Sequence, residues 1–291
     1  MKKTILILAI ILTLCSCAKK QAFSVDTSSI NVMDYSAEPI EDDIHSAEYL
    51  VIDISDCDYL FSKDSDVRMY PASLTKLVTL DAVLTLAEDL YDMSYVTYEQ
   101  VEDLIAEDAS LAYIQRDYPY TLMDLLYALV LPSGADAALA LENYFAGKGI
   151  SLVDEMNRRM EELGGTNSRF VNTTGLHDDN HYTCLDDLYL VVMDILKYKE
   201  GRQILNALKM ELEDGTMVHT TMGVAYREHG FDILGGKTGY TPEAGQNIIA
   251  LCKYRGRSYL VMFANAYGNR RLNQYWHYDD VERVFEYLEQ K

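Results

Sequence analysis

The chain has 291 residues, 49% of them apolar, enough to bury one large core or a core domain with a nested subdomain. Forty-six acidic residues against 25 basic ones leave a net charge of −21. This excludes nucleic-acid binding, and attachment to anionic lipid by a basic patch, because both need clustered Lys and Arg.

The first predicted element is a leader. Met1-Lys2-Lys3 followed by an apolar run from Thr4 to Leu14 has the pattern of a secretory signal. It is too short to span a bilayer, which takes roughly 20 apolar residues. It ends Leu14-Cys15-Ser16-Cys17, which resembles a bacterial lipobox. Cys17 fits the modified position better than Cys15, because Ser16 supplies the small residue before it. We expect a signal peptide over residues 1–16 and a lipid on Cys17 holding the chain to the outer face of the cytoplasmic membrane. A flexible polar tether is expected over 17–45. An ordinary signal peptide with chance cysteines is the alternative. Cys57, Cys184 and Cys252 remain; without CxxC spacing, they read as free thiols.

Tyr49–Ile54 and Tyr59–Phe61 read as paired strands around a turn at Ser55–Asp58. A run from Ser73 to Leu86, apolar on most faces, reads as a helix in the middle of a domain. Thr121 with Asp124, Ser151 with Asp154 and Thr183 with Asp186 resemble capping boxes that open helices. Those helices are expected to end at Pro132, at Gly164-Gly165 and near Gly201. Asn247–Cys252 and Ser258–Ala264 read as strands joined at Arg255-Gly256, and Val281, Val284, Phe285 and Leu288 mark an amphipathic terminal helix. The pattern predicts an α+β domain over 46–291: an antiparallel sheet completed by both chain ends, with a helical subdomain inserted over about 88–200.

Three motifs carry chemistry. In Ser73-Leu74-Thr75-Lys76, residues three apart share a helix face, so hydroxyl and amine can meet. A serine needs a base to become a nucleophile, and a lysine serves when burial or a helix N-terminus keeps it neutral. Ser133, in Pro132-Ser133-Gly134, sits on a loop between helices and could point a hydroxyl into a cleft. Lys237-Thr238-Gly239 lies on a strand whose glycines allow close approach, and its Lys and Thr suit a carboxylate.

The order S-x-x-K, loop serine, K-T-G resembles the penicillin-recognising serine enzymes. The surrounding segments, Pro71–Lys76, Leu131–Ala138, Phe170–Asn172 with Gly175–Asp178, and Gly236–Thr241 with Glu243–Gly245, resemble the serine D-alanyl-D-alanine carboxypeptidases, the low-molecular-mass penicillin-binding proteins. The likeness covers about residues 45–290. It implies a β-lactamase/transpeptidase-like fold and a site needing no metal or other cofactor. Peptidoglycan stem peptides would be substrates, and β-lactams covalent inhibitors. By this likeness Ser73 is the nucleophile, Lys76 its base and Ser133 a proton relay. Lys237, Thr238, Gly239 and Tyr240 would bind substrate, with the N–H groups of Ser73 and Tyr240 as the oxyanion hole.

One departure is Ala135, where the family's second motif has Asn. It keeps open a non-catalytic receptor for muropeptides or β-lactams. A D,D-endopeptidase is a further alternative. A class A β-lactamase would need an E-x-x-L-N run, and Glu161-Glu162-Leu163 is followed instead by Gly164-Gly165. His177-Asp178-Asp179-Asn180-His181 has the residue types of a metal site, but Gly175 and the polar run suggest a loop.

Overall fold

The computed structural model describes residues 39–40, 44–222, 231–268 and 274–290. The expected leader, Cys17 and most of the expected tether lie outside the described residues. A five-stranded antiparallel sheet is built from β1 (Glu48–Asp53), β2 (Asp58–Lys63), β7 (Asp232–Thr241), β8 (Gly245–Tyr254) and β9 (Arg257–Ala266), in the order β2-β1-β9-β8-β7. The β8–β9 hairpin turns at Arg255 and Gly256, both at positive φ, which matches the twist of the flanking strands.

Both faces of the sheet are covered, which explains why its central strands read as unbroken apolar runs. Tyr49, Val51, Ile248, Ala250, Val261 and Phe263 pack on one face with Val281, Val284 and Phe285 of α8 (Trp276–Gln290). Leu50, Ile52, Ile249, Leu251, Leu260 and Met262 join the larger core on the other face. At its centre lies α1 (Thr75–Leu86), with buried residues on all sides. Truncating Leu77 or Leu80 there would cost about 2–5 kcal/mol. Around α1 stand α2 (Tyr98–Ala106), α3 (Leu122–Val130), α4 (Ala135–Gly147), α5 (Leu152–Leu163), α6 (Leu185–Ile195) and α7 (Lys199–Leu205), with two short ribbons, β3 (Met93–Ser94) with β4 (Tyr120–Thr121), and β5 (Lys209–Glu211) with β6 (Met217–His219). Arg159 of α5 ties α1 to α6, reaching Asp81 at 3.4 Å and Asp194 at 2.8 Å. No helix among the described residues is long and apolar enough to cross a membrane.

Some boundaries differ from expectation. Ile40 is already buried, its N–H donating to Tyr49 Oη at 2.8 Å, and His45 and Ser46 donate to Asp280. The chain therefore meets the fold before residue 46. Thr121 and Ser151 cap α3 and α5 as expected. The cap of α6 is Cys184 rather than Thr183, whose backbone pairs with Met69 and holds it extended. Gly201 does not stop a helix. It lies inside α7, where a Cβ would meet the Ile195 carbonyl oxygen at 2.3 Å.

Candidate active site

The turn before α1 positions Ser73. It is a short 3-10 turn, Ala72–Leu74, in which Ala72 takes φ +48°. That conformation costs about 1–3 kcal/mol for a residue with a Cβ and persists only when neighbours hold it. They do so from two sides. Asn247 of β8, fully buried, donates through Nδ2 to Tyr70 O at 3.0 Å and Pro71 O at 3.4 Å. Thr75 donates to Ala72 O through its N–H and through Oγ1 at 2.8 Å.

Lys76 is buried in the first turn of α1. Its Nζ lies 3.1 Å from Ser73 Oγ and 2.5 Å from Thr174 O. Burial pushes its pKa down to about 7, and the nearby charge of Asp136 opposes the shift. A substantial fraction of such an amine is neutral near pH 7, with a lone pair that can take the serine proton.

The Thr174 carbonyl is placed by Asn172. Its Oδ1 accepts from Thr174 N–H, Thr174 Oγ1 and Gly175 N–H, while its Nδ2 donates to Leu176 O. Gly175 has φ +80°, and a Cβ there would stand 2.0 Å from Ala72 O. The loop thus presses its backbone against the Ser73 turn, as only glycine permits.

Ser133 is buried with φ +67°, and its Oγ has no hydrogen-bond partner among the described residues. Thr221 links its loop to the K-T-G strand: Thr221 N–H donates to Leu131 O, and Thr221 Oγ1 lies 3.0 Å from Thr238 Oγ1. After the loop, Ala135 opens α4 and is buried. Asp136, beside it, accepts from the N–H groups of Ala112, Ile114 and Ala137, fixing segment 112–114 to the helix.

Lys237 and Thr238 lie on β7 opposite Ile249 and Ile248. Lys237 is fully buried, its Nζ donating to Thr238 O at 2.7 Å. Burial first, then the charge of Lys76, holds its pKa well below the usual lysine range. Gly239 brings the strand onto the Ser73 turn: a Cβ there would lie 2.8 Å from Pro71 O and 3.2 Å from Ser73 N. Tyr240 follows with an exposed side chain. The fold therefore packs Gly239 of the K-T-G strand against the Ser73 turn, and links that strand to the Ser133 loop through Thr221, which meets Thr238 and Leu131.

The family model of peptidase S11, described as D-alanyl-D-alanine carboxypeptidase, matches residues 34–266. The chain belongs to that family. It is 29% identical over 202 residues to the D-alanyl-D-alanine carboxypeptidase DacF of Bacillus subtilis, covering 67% of this chain and 50% of that protein. The chain spans about half the length of the curated relatives it matches. Among solved structures it is similar to the Streptomyces K15 DD-transpeptidase, with a TM-score of 0.75 and 22% identity over 85% of this chain and 98% of that one. Penicillin-binding protein D2 of Listeria monocytogenes, in its ampicillin-bound form, gives a TM-score of 0.70 at 22% identity over the same shares. These likenesses establish the β-lactamase/transpeptidase-like fold.

Within this S11 member, several residues that shape the site went unseen in the sequence. The Thr174 carbonyl carries no residue-type signature. Asn247 and Thr221 lie in segments without a motif. Asp136 and Asn172 stand inside segments that carry the family likeness, which was the available signal. The histidines of the 177–181 segment are turned to different tasks. His181 is buried, with both ring nitrogens engaged by Thr75 and Val171. His177 packs edge-on against Tyr70 at 4.7 Å.

Proposed function

We propose that the chain is a serine-type D-Ala-D-Ala carboxypeptidase that acts on peptidoglycan stem peptides through an acyl-enzyme on Ser73. The observation that carries this reading is the Lys76 amine, 3.1 Å from Ser73 Oγ and brought by burial to a pKa of about 7. Neutral Lys76 takes the Ser73 proton as Oγ attacks the carbonyl carbon of the scissile bond. The resulting oxyanion is held by the N–H groups of Ser73 and Tyr240. Ser133, buried and unpartnered among the described residues, passes a proton to the leaving D-alanine amine. Lys237 and Thr238 hold the terminal carboxylate. Water then hydrolyses the Ser73 ester and regenerates the hydroxyl. β-Lactams would form the same ester. The reading assigns no metal or organic cofactor to any step.

The test is intact mass and peptide mapping after penicillin treatment, with D-alanine release from a peptide ending in Lys-D-Ala-D-Ala. One adduct on Ser73, and release abolished by Ser73→Ala, are expected. Acylation without release from any muropeptide would favour the receptor reading, and release only from crosslinked muropeptides the endopeptidase.

We further propose that Cys17 carries a lipid and holds the domain on the outer face of the cytoplasmic membrane; the basic, apolar, lipobox order of residues 1–17 supports this. Cys17→Ala should move the chain from the membrane to the soluble fraction. An unmodified Cys17 by mass spectrometry would refute it.

A further inference from the structure

A hydrogen-bond chain runs from the Asn172 loop to the peptide that precedes Ser73. Val171 N–H points at His181 Nδ1 at 3.1 Å, so Nδ1 is the acceptor and the ring proton sits on Nε2. Nε2–H then donates to Thr75 Oγ1 at 2.7 Å, and the Thr75 hydroxyl, its oxygen occupied, donates to Ala72 O at 2.8 Å. Each group has one role, and the direction is the same throughout. His181 and Thr75 are both buried, and burial holds the imidazole down at a pKa of about 4, so the ring stays neutral at physiological pH.

Ala72 O and Ser73 N–H belong to the same planar peptide unit. A donor on that oxygen sets the plane in which the N–H points, and polarises the amide so that its N–H becomes a stronger donor. Ala72 sits at φ +48°, where the backbone alone would relax.

We propose that His181 and Thr75 are positioning residues for the oxyanion hole, acting through the Ala72–Ser73 peptide. The proposal rests on the reading of Ser73 as nucleophile and of its N–H as an oxyanion donor. The same loop that fixes Lys76 through Thr174 O thereby also aims the donor that receives the developing charge, so base and oxyanion hole are set by one element.

The experiment measures, on the full chain, the limiting rate of penicillin acylation at saturation and the affinity of a peptide boronic acid. The boronic acid forms a tetrahedral adduct on serine, with an oxygen in the oxyanion position. Thr75→Val keeps the shape and removes the hydroxyl; Thr75→Ser retains it. Removing an oxyanion donor outright costs about 10²–10³-fold, so loosening one should cost about tenfold. We expect Thr75→Val to lower both the acylation rate and the boronic acid affinity about tenfold, with noncovalent penicillin binding unchanged and Thr75→Ser within about twofold of the natural chain. His181→Gln, which breaks the chain at its other end, should act in the same direction. Folded variants that acylate and bind the boronic acid as the natural chain does would overturn the inference. So would loss of the fold in both Thr75→Val and His181→Gln, which would make the chain a structural element only. A natural chain with no adduct on Ser73 would instead overturn the catalytic reading beneath it.

Discussion

The limiting rate of acylation should follow the neutral fraction of Lys76. With a pKa of about 7, that fraction is about a tenth at pH 6, half at pH 7 and nine-tenths at pH 8. Stopped-flow acylation at saturating penicillin should therefore rise about tenfold from pH 6 to 8 and then level off. A lysine at its ordinary pKa would instead give about a hundredfold rise over that interval, with no plateau below pH 10. The same burial has a stability consequence whose sign is fixed. Folding lowers the lysine pKa, so between about pH 7 and 10.5 the unfolded chain holds a proton that the folded chain lacks. Stability from this group rises with pH across that window. At pH 7 the burial costs on the order of 4 kcal/mol. Lys76→Met removes that cost and leaves Thr174 O unpaired, an opposing loss of about 1–3 kcal/mol. The variant should be inactive yet melt at or above the natural chain at pH 7, with the gap closing toward pH 9. Acylation that keeps climbing tenfold per unit beyond pH 8, or a Met variant melting well below the natural chain, would refute the reasoning.

Gly175→Ala should reduce acylation more than about tenfold and lower the melting temperature, because its Cβ would fall 2.0 Å from Ala72 O at a φ that already disfavours a side chain. Asp136→Asn should shift the acid limb of the acylation profile to lower pH, since Asp136 is the charge that holds the Lys76 pKa up. It should also destabilise the fold, measurable by urea titration, as two of the acceptor's three backbone donors belong to the 112–114 segment. Ala135→Asn should leave D-alanine release equal or raise it up to about tenfold, the worth of one hydrogen bond to a bound amide. A fall in release would show that the packing around the buried Ala135, and not a missing contact, governs the rate.

The parts of the fold legible in the sequence were those where one interaction dominates. α1 is apolar on most faces because it lies between lobe and sheet, and the middles of β8 and β9 are apolar runs because both their faces are covered. Where two interactions compete, residue type alone does not decide the outcome. Thr183 has the right residue type for a cap, but its hydroxyl meets Ser168 and its backbone pairs with Met69, so the thiol of Cys184 caps α6 instead. Gly201 looks like a terminator and serves close packing. α2 has a true capping box with Gln100 in the acidic residue's place, and α4 has Gly134 at its N-cap with no side-chain cap, so neither start carries the Ser/Thr-x-x-acid pattern. The site divides in the same way. The roles proposed for Ser73, Lys76, Ser133 and Lys237 are side-chain roles, which a sequence displays. Thr174 meets Lys76 through a carbonyl. Asn247 bonds a backbone oxygen and His181 a hydroxyl, both more than a hundred residues away in sequence, placements that only the folded chain reveals.

This division bears on the substitution at position 135. The family resemblance implies two tasks for an Asn in the second motif, helping to hold the lysine and the substrate amide. Here the lysine's hydrogen bonds go to Ser73 Oγ and Thr174 O, and its neutral form is favoured by burial. None of these depends on residue 135. The loop that supplies the Thr174 carbonyl is held by Asn172, by the His181–Thr75 chain, by Thr79 and by Glu142 of α4, and none of these bonds is made by residue 135. Lys76 can therefore keep its position and its lowered pKa with Ala135 in place, and on the proposed reading what the substitution removes is a contact to substrate. On the proposed reading of Ser73 as nucleophile and Lys76 as base, a site with one fewer substrate contact should be a slower or differently selective enzyme, and D-alanine release that depends on Ser73 is the result expected.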